Sequence, residues 1–266
     1  MYFSPLEIAV LTTTSLQDLL AVEKLREQDL EEARVIQGAI LPSQPLHTDC
    51  VLVSHEFQPV AEVGGDYLDY FTLSDGKVGL YIGDVSGKGL SAALYAALAV
   101  GTLRGVHKTG QRPAHVLGLL NERLHLRGIP CRHTALQYAV FDPCTAEMHI
   151  ASAGMPGPLL LRGNECQSLV IAGIPPGLFP GVSYEECCVQ LQPGDSLLFC
   201  TDGLTEARNL RDEEFGIEGL LDVCCLHSPA TPLDLLAQVF ASIEKFSRDT
   251  RQWDDMTAAV FHYSRR

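Results

Sequence analysis

The sequence predicts an α+β domain of layered sheets and helices behind a long N-terminal helix, and three observations carry that prediction. A stretch from about Ser15 to Leu41 keeps helical spacing and is stopped by Pro42 and Pro45. From Cys50 onward the apolar runs shorten to strand length and are punctuated by Gly, Pro and Asp. The order is strands, two helices, more strands and two further helices, which fits segregated layers better than a repeating βαβ unit. With 266 residues, 46% of them hydrophobic, the chain is long enough to bury a full core.

The first element is the helix, with Ser15 placed to cap it. Its apolar positions are Leu19, Val22, Leu25, Leu30, Ala33, Ile36 and Ile40, but Arg26, Glu27 and Asp29 break the face near its middle. A regular heptad seam is therefore not expected. Two readings stay open: a helix packed on its own domain, or a signalling and dimerisation helix. The boundary falls near residue 45, with residues 1–45 as linker and 46–266 as the globular domain.

Strands are expected at Val51 to Gln58, Tyr67 to Leu73, Val78 to Asp84, Leu136 to Phe141, Met148 to Ala153, Leu159 to Arg162, Cys187 to Leu191, Ser196 to Thr201 and Thr257 to Tyr263. Ser74-Asp75-Gly76-Lys77, Asp142-Pro143, Gly163-Asn164 and Pro193-Gly194-Asp195 supply turns between them. Strands joined this tightly should pair antiparallel. Helices are expected at Ser91 to Val106, Ala114 to Leu126, Ile217 to Leu226 and Pro232 to Phe246. The first of these is rich in Ala and Leu and nearly uncharged, as a helix buried against a sheet would be.

A formal charge of -14 with no basic block argues against general affinity for nucleic acid or an anionic membrane surface. Nine cysteines, an odd number without regular spacing, do not form a disulfide framework in a chain of this length. Neither Cys187-Cys188 nor Cys224-Cys225 has the spacing of a zinc knuckle, so the cysteines are read as reduced thiols. No basic segment leads into a long apolar core, and no apolar run approaches ~18 residues. The expectation is a cytoplasmic protein with no membrane insertion.

Four acidic motifs carry the chemistry: Gly64-Gly65-Asp66, Gly83-Asp84-Val85-Ser86-Gly87, Thr201-Asp202-Gly203 and Asp254-Asp255-Met256-Thr257. Each sets an Asp at the edge of a strand. One such Asp is an ordinary turn residue or helix cap, but four at strand ends can converge. Bare carboxylates repel one another unless a cation lies among them. An all-oxygen set suits Mg²⁺ or Mn²⁺ better than zinc or copper, and two such ions can activate water against a phosphate ester. The glycines at 83, 87 and 89 let the backbone bend so that a carbonyl as well as the carboxylate can face an ion.

In order and spacing these residues resemble the PPM family of metal-dependent Ser/Thr protein phosphatases, in the bacterial branch typified by RsbU and SpoIIE. The match is carried by Val63 to Tyr67, Ile82 to Gly89 with the Ala-rich helix that follows, Ala153-Gly154, Thr201 to Ala207 and Asp254 to Thr257, and by the helix end Ile36 to Pro42. It covers the chain from about residue 30 onward. The resemblance implies a four-layer α-β-β-α sandwich with two mainly antiparallel sheets. It implies that Asp84 bridges two Mn²⁺ or Mg²⁺ ions with the Val85 carbonyl on one of them, that Asp202 and Asp254 complete the shell of the other, and that Asp66 ligates or orients water. Asp255 stands where relatives carry Asn and is a further ligand candidate. A two-metal-activated water would hydrolyse phosphoserine or phosphothreonine, with a phosphorylated STAS-type anti-anti-sigma protein as substrate and partner. The first thirty or so residues resemble the closing helix of a GAF-type sensor, which would make the chain a reduced form of a longer sensor-phosphatase with its helix available for a homodimer.

Two positions depart from the family pattern. Met155 replaces the His of Ala-Gly-His-x-Pro and cannot exchange a proton, so the expected role there is loop packing. Ser86 stands where eukaryotic relatives place a His proposed as general acid, which leaves the proton donor unassigned. These departures keep open an alternative, a catalytically inactive scaffold that binds a phosphoprotein.

Overall fold

A computed structural model describes residues 5–129, 132–228 and 230–264, with side chains in the first helix described from Asp18 onward. The chain opens with α1 (Pro5–Ile40), the short β1 (Leu46–His47) and β2 (Val51–Gln58). Then come β3 (Tyr67–Thr72), β4 (Val78–Val85), α2 (Leu90–Arg104), α3 (Pro113–Arg127), β5 (Thr134–Asp142) and β6 (Glu147–Ala153). The rest comprises β7 (Leu159–Arg162), β8 (Glu165–Ser168), β9 (Cys187–Gln190), β10 (Ser196–Cys200), α4 (Asp202–Thr205), α5 (Gly216–His227), α6 (Pro232–Phe246) and β11 (Met256–Tyr263).

Every ladder is antiparallel. Six strands form one sheet in the order β1-β2-β11-β10-β7-β8, and five form the other in the order β3-β4-β5-β6-β9. The sheets pack face to face over Val53, Leu68, Ile82, Phe141, Met148, Phe199 and Phe261, all buried. The outer face of the five-stranded sheet is covered by α2 and α3, through Ala92, Ala99, Leu103, Leu117 and Leu120. α5 and α6 cover the other sheet, with Leu220, Leu236, Val239 and Ile243 packing on Leu198 and Val260. Strands that alternate between two buried faces need helices outside and a partner sheet inside, and the α-β-β-α sandwich satisfies both.

The Ser74 to Lys77 and Asp142-Pro143 turns close the expected hairpins, and Gly163-Asn164 joins β7 to β8, a strand not expected from the sequence. At the first, Gly76 takes φ +83° and Asp75 Oδ1 accepts the Lys77 N–H at 3.3 Å. The Pro193-Gly194-Asp195 turn does not: it joins β9 in one sheet to β10 in the other. Its reversal is pinned by buried Asp195, whose carboxylate accepts from Gln192 N and from Arg162 Nε and Nη2. α1 begins ten residues earlier than Ser15, and among its described side chains Leu30, Ala33 and Ile40 are half-buried, Gln37 is buried, and Leu19, Val22, Leu25 and Ile36 are exposed. Among the described residues, no helix is long and apolar enough to cross a membrane.

Candidate metal centre

Strand register brings the acidic motifs together. In the five-stranded sheet Tyr67 pairs with Gly83, so Asp66, just before β3, lies beside Asp84 near the end of β4. In the other sheet Cys200 pairs with Ala258 and Thr201 N donates to Thr257 O, which sets Asp202 next to the Asp254-Asp255 entry into β11. Two hydroxyls tie the two sheets at this point: Thr201 Oγ1 and Thr257 Oγ1 both donate to Asp66 Oδ2, at 2.8 and 2.5 Å. Asp84 faces Asp66 closely enough for its charge to act on the Asp66 carboxyl. Carboxylates from four separate stretches of chain therefore face one another across the edge of the sandwich.

Their proximity is electrostatically costly. Burial pushes the Asp66 carboxyl well up, with Asp84 adding to it against the two threonine donors. Asp84 is raised to about 7, mainly by burial and then by Asp202 and Asp254. Asp202 is raised by burial and by Asp254, and Lys88 opposes the shift. Lys88 Nζ lies 3.0 Å from Asp254 Oδ2 and supplies one positive charge at the rim of the cluster. Among the described residues no three of these aspartates bring oxygens within 4.8 Å of one another, the open spacing expected of like charges.

The donor set and the space both suit a hard cation. A Cβ at Gly65 would lie 2.9 Å from the Val85 carbonyl oxygen and 3.3 Å from Asp84 Oδ1, so the missing side chain leaves a cradle that both oxygens face. Of the six residues expected as ligands, Asp255 has both carboxylate oxygens taken up by backbone N–H groups. It is buried, its Oδ1 accepts Val60 N at 2.8 Å and its Oδ2 accepts Gly65 N at 2.7 Å, so it holds the loop that carries Asp66. Gly203 allows that arrangement, since a Cβ there would meet the Asp255 carbonyl at 1.9 Å.

Met155 is buried in the inter-sheet core, where a thioether packs without a polar partner. Ser86 Oγ accepts the His133 N–H at 3.2 Å. Sequence reading missed Lys88, the two threonines and Gln37. From the last turn of α1, Gln37 Nε2 donates to Gly64 O at 2.8 Å and Gln37 Oε1 accepts Gly64 N at 3.1 Å. Arg104 Nη2 donates to Ile40 O, closing the same helix end.

Comparison with known families follows this geometry. The Stage II sporulation protein E (SpoIIE) family matches residues 74–264, well over half of the chain. The chain belongs to the SpoIIE family. It is thus a PPM-type phosphatase domain of the RsbU/SpoIIE branch. Within that branch it is similar to Phosphoserine phosphatase RsbU of Bacillus subtilis, at 23% identity over 248 residues covering 92% of this chain and 72% of RsbU. It is also similar to Protein IcfG of Synechocystis sp., at 25% identity over 240 residues, spanning 79% of this chain but only 38% of IcfG. Among solved structures, the SiaA-PP2C domain of Pseudomonas aeruginosa has the same fold, with a TM-score of 0.81 at 24% identity over 92% of this chain and 98% of that one. The SpoIIE-family match starts downstream of Asp66, so that residue's place in the site rests on the geometry above.

Proposed function

We propose that the protein is a Mn²⁺- or Mg²⁺-dependent protein-serine/threonine phosphatase that dephosphorylates a regulatory phosphoprotein, of the STAS-type anti-anti-sigma class. The observation that carries this reading is the meeting of Asp66, Asp84, Asp202 and Asp254 from both sheets at one edge of the sandwich. Family membership supports it, as does the name of the similar RsbU, a phosphoserine phosphatase. A structural neighbour, RsbX, was solved in complex with magnesium.

Asp84, the Val85 carbonyl, Asp202 and Asp254 would hold two ions. Bound there, such ions supply an activated water and neutralise charge on the phosphoryl group. The chain's own residues prepare that step. Thr201 and Thr257 fix Asp66 against Asp84, Asp255 fixes the Gly64-Gly65 loop beside it, and Lys88 orients Asp254 from the rim. The exposed Leu19, Val22 and Leu25 of α1 would form a homodimer contact, and its Gln37 end would transmit docking to the centre.

The test is phosphate release from a phosphoserine protein with and without Mn²⁺. Release should need the metal and fall at least about 10³-fold in Asp84→Asn. Metal-independent turnover would sink the reading, and tight phosphoprotein binding with no turnover at saturating Mn²⁺ would mark a scaffold instead.

A further inference from the structure

A second, chemically different cluster lies at the opposite end of the five-stranded sheet. Glu147 and His149 are two residues apart on β6 and so share a face, and Cys188 on the edge strand β9 is the direct cross-strand partner of His149. Their ligand atoms all lie within 4.8 Å of one another. His149 Nε2 is 3.7 Å from Glu147 Oε2 and 3.9 Å from Cys188 Sγ. Ligands about 2.0 to 2.3 Å from a tetrahedral ion stand roughly 3.3 to 3.8 Å apart, so only small side-chain adjustments separate this trio from coordinating geometry. We propose that Glu147, His149 and Cys188 form a zinc site, with water in the fourth position.

The donor chemistry selects the metal. One thiolate, one imidazole and one carboxylate suit Zn²⁺, whereas Mg²⁺ and Mn²⁺ favour the all-oxygen centre at the other end. The outer groups are also in place. His149 Nδ1 is buried without a hydrogen-bond partner, and Glu186 Oε1 stands 3.9 Å from it. Glu186 is itself held by Arg112 Nε at 2.8 Å and by the Ala114 N–H at 2.9 Å, at the start of α3. A carboxylate behind the distal nitrogen of a ligating His is the usual means of fixing the ring, and a slight shift would supply it. The ion would therefore fasten the short edge strand β9 to β6 and, through Glu186, to α3.

The two centres are separate. Asp84 pairs with Ala135 and His149 with Val140, five residues further along β5, or about 17 Å. The proposal does not depend on phosphatase activity, and its test avoids it. The full chain carrying Asp84→Asn, to weaken the acidic centre, is titrated with Co²⁺ as an optical stand-in for zinc. The expected result is a thiolate-to-cobalt charge-transfer band saturating at one equivalent and abolished by one equivalent of Zn²⁺. The band should vanish when Cys188→Ser or His149→Gln is added, with circular dichroism unchanged, and persist with Cys144→Ser. Absence of the band, or its survival in Cys188→Ser, overturns the proposal.

Discussion

Asp84 is held in the folded protein with its carboxyl raised to about 7, mainly by burial and by neighbouring Asp202 and Asp254. A carboxyl raised on folding binds more protons folded than unfolded between its ordinary range and that value. Its favourable share of stability is thus complete below about pH 4 and lost as pH rises through about 7. Metal-free protein should therefore weaken across that window, and Asp84→Asn should stabilise it at pH 8 by a few kcal/mol, order of magnitude, while changing little at pH 4. Urea midpoints at the two pH values check this. Saturating Mn²⁺ should reverse the difference at pH 8. At Gly203 the opposite sign is expected: Ala would place its Cβ 1.9 Å from the Asp255 carbonyl, against backbone that cannot swing aside. Gly203→Ala should cost about 3 kcal/mol or more by denaturant midpoint.

At the scale of elements, the contact to test is the end of α1. Gln37 satisfies both backbone groups of Gly64, one residue from the N–H that Asp255 holds. Gln37→Leu leaves a buried donor and acceptor unpaired, at about 1 to 3 kcal/mol. On the proposed function it should raise the Mn²⁺ concentration for half-maximal phosphate release while sparing the rate at saturation. A loss of rate alone would place Gln37 outside the metal-binding path.

The elements also show what could be read from sequence. β2 was legible at both ends because its apolar run stands between polar turns, and α6 because Thr231 caps it and Pro232 begins it. β8 was not, since it is four residues long, three of them polar, and lies on a sheet edge with no face fully buried. The Pro193-Gly194-Asp195 turn misled because turn chemistry sets a local reversal and not the strand that will be paired. Asp66, Asp84 and Asp202 stand out in the sequence through flanking glycines. Gln37, Lys88, Thr201 and Thr257 do not, because their roles exist only once distant segments meet.

For the whole molecule, the feature to test is the run of exposed apolar side chains on the described part of α1. Leu19, Leu20, Val22 and Leu25 are each more than 60% exposed, on a helix whose far end is anchored by Gln37 and Arg104. Light scattering should give a dimer for the full chain, and deletion of residues 1–30 should give a folded monomer, since the anchoring turn remains. A full-length monomer would remove the helix from any assembly role.

The chain changes sheets four times: after β2, after β6, after β8 and after β9. Neither sheet can be completed from one continuous length of polypeptide, so the sandwich forms as a single cooperative unit with many non-local pairings and should fold slowly. Asp66 and Asp84 come from one sheet, Asp202 and Asp254 from the other, and they meet only after both have docked. On the proposed function, therefore, a nascent chain lacking β11 would have no complete cation site, and phosphoryl chemistry would be withheld until the last strand slots between β2 and β10.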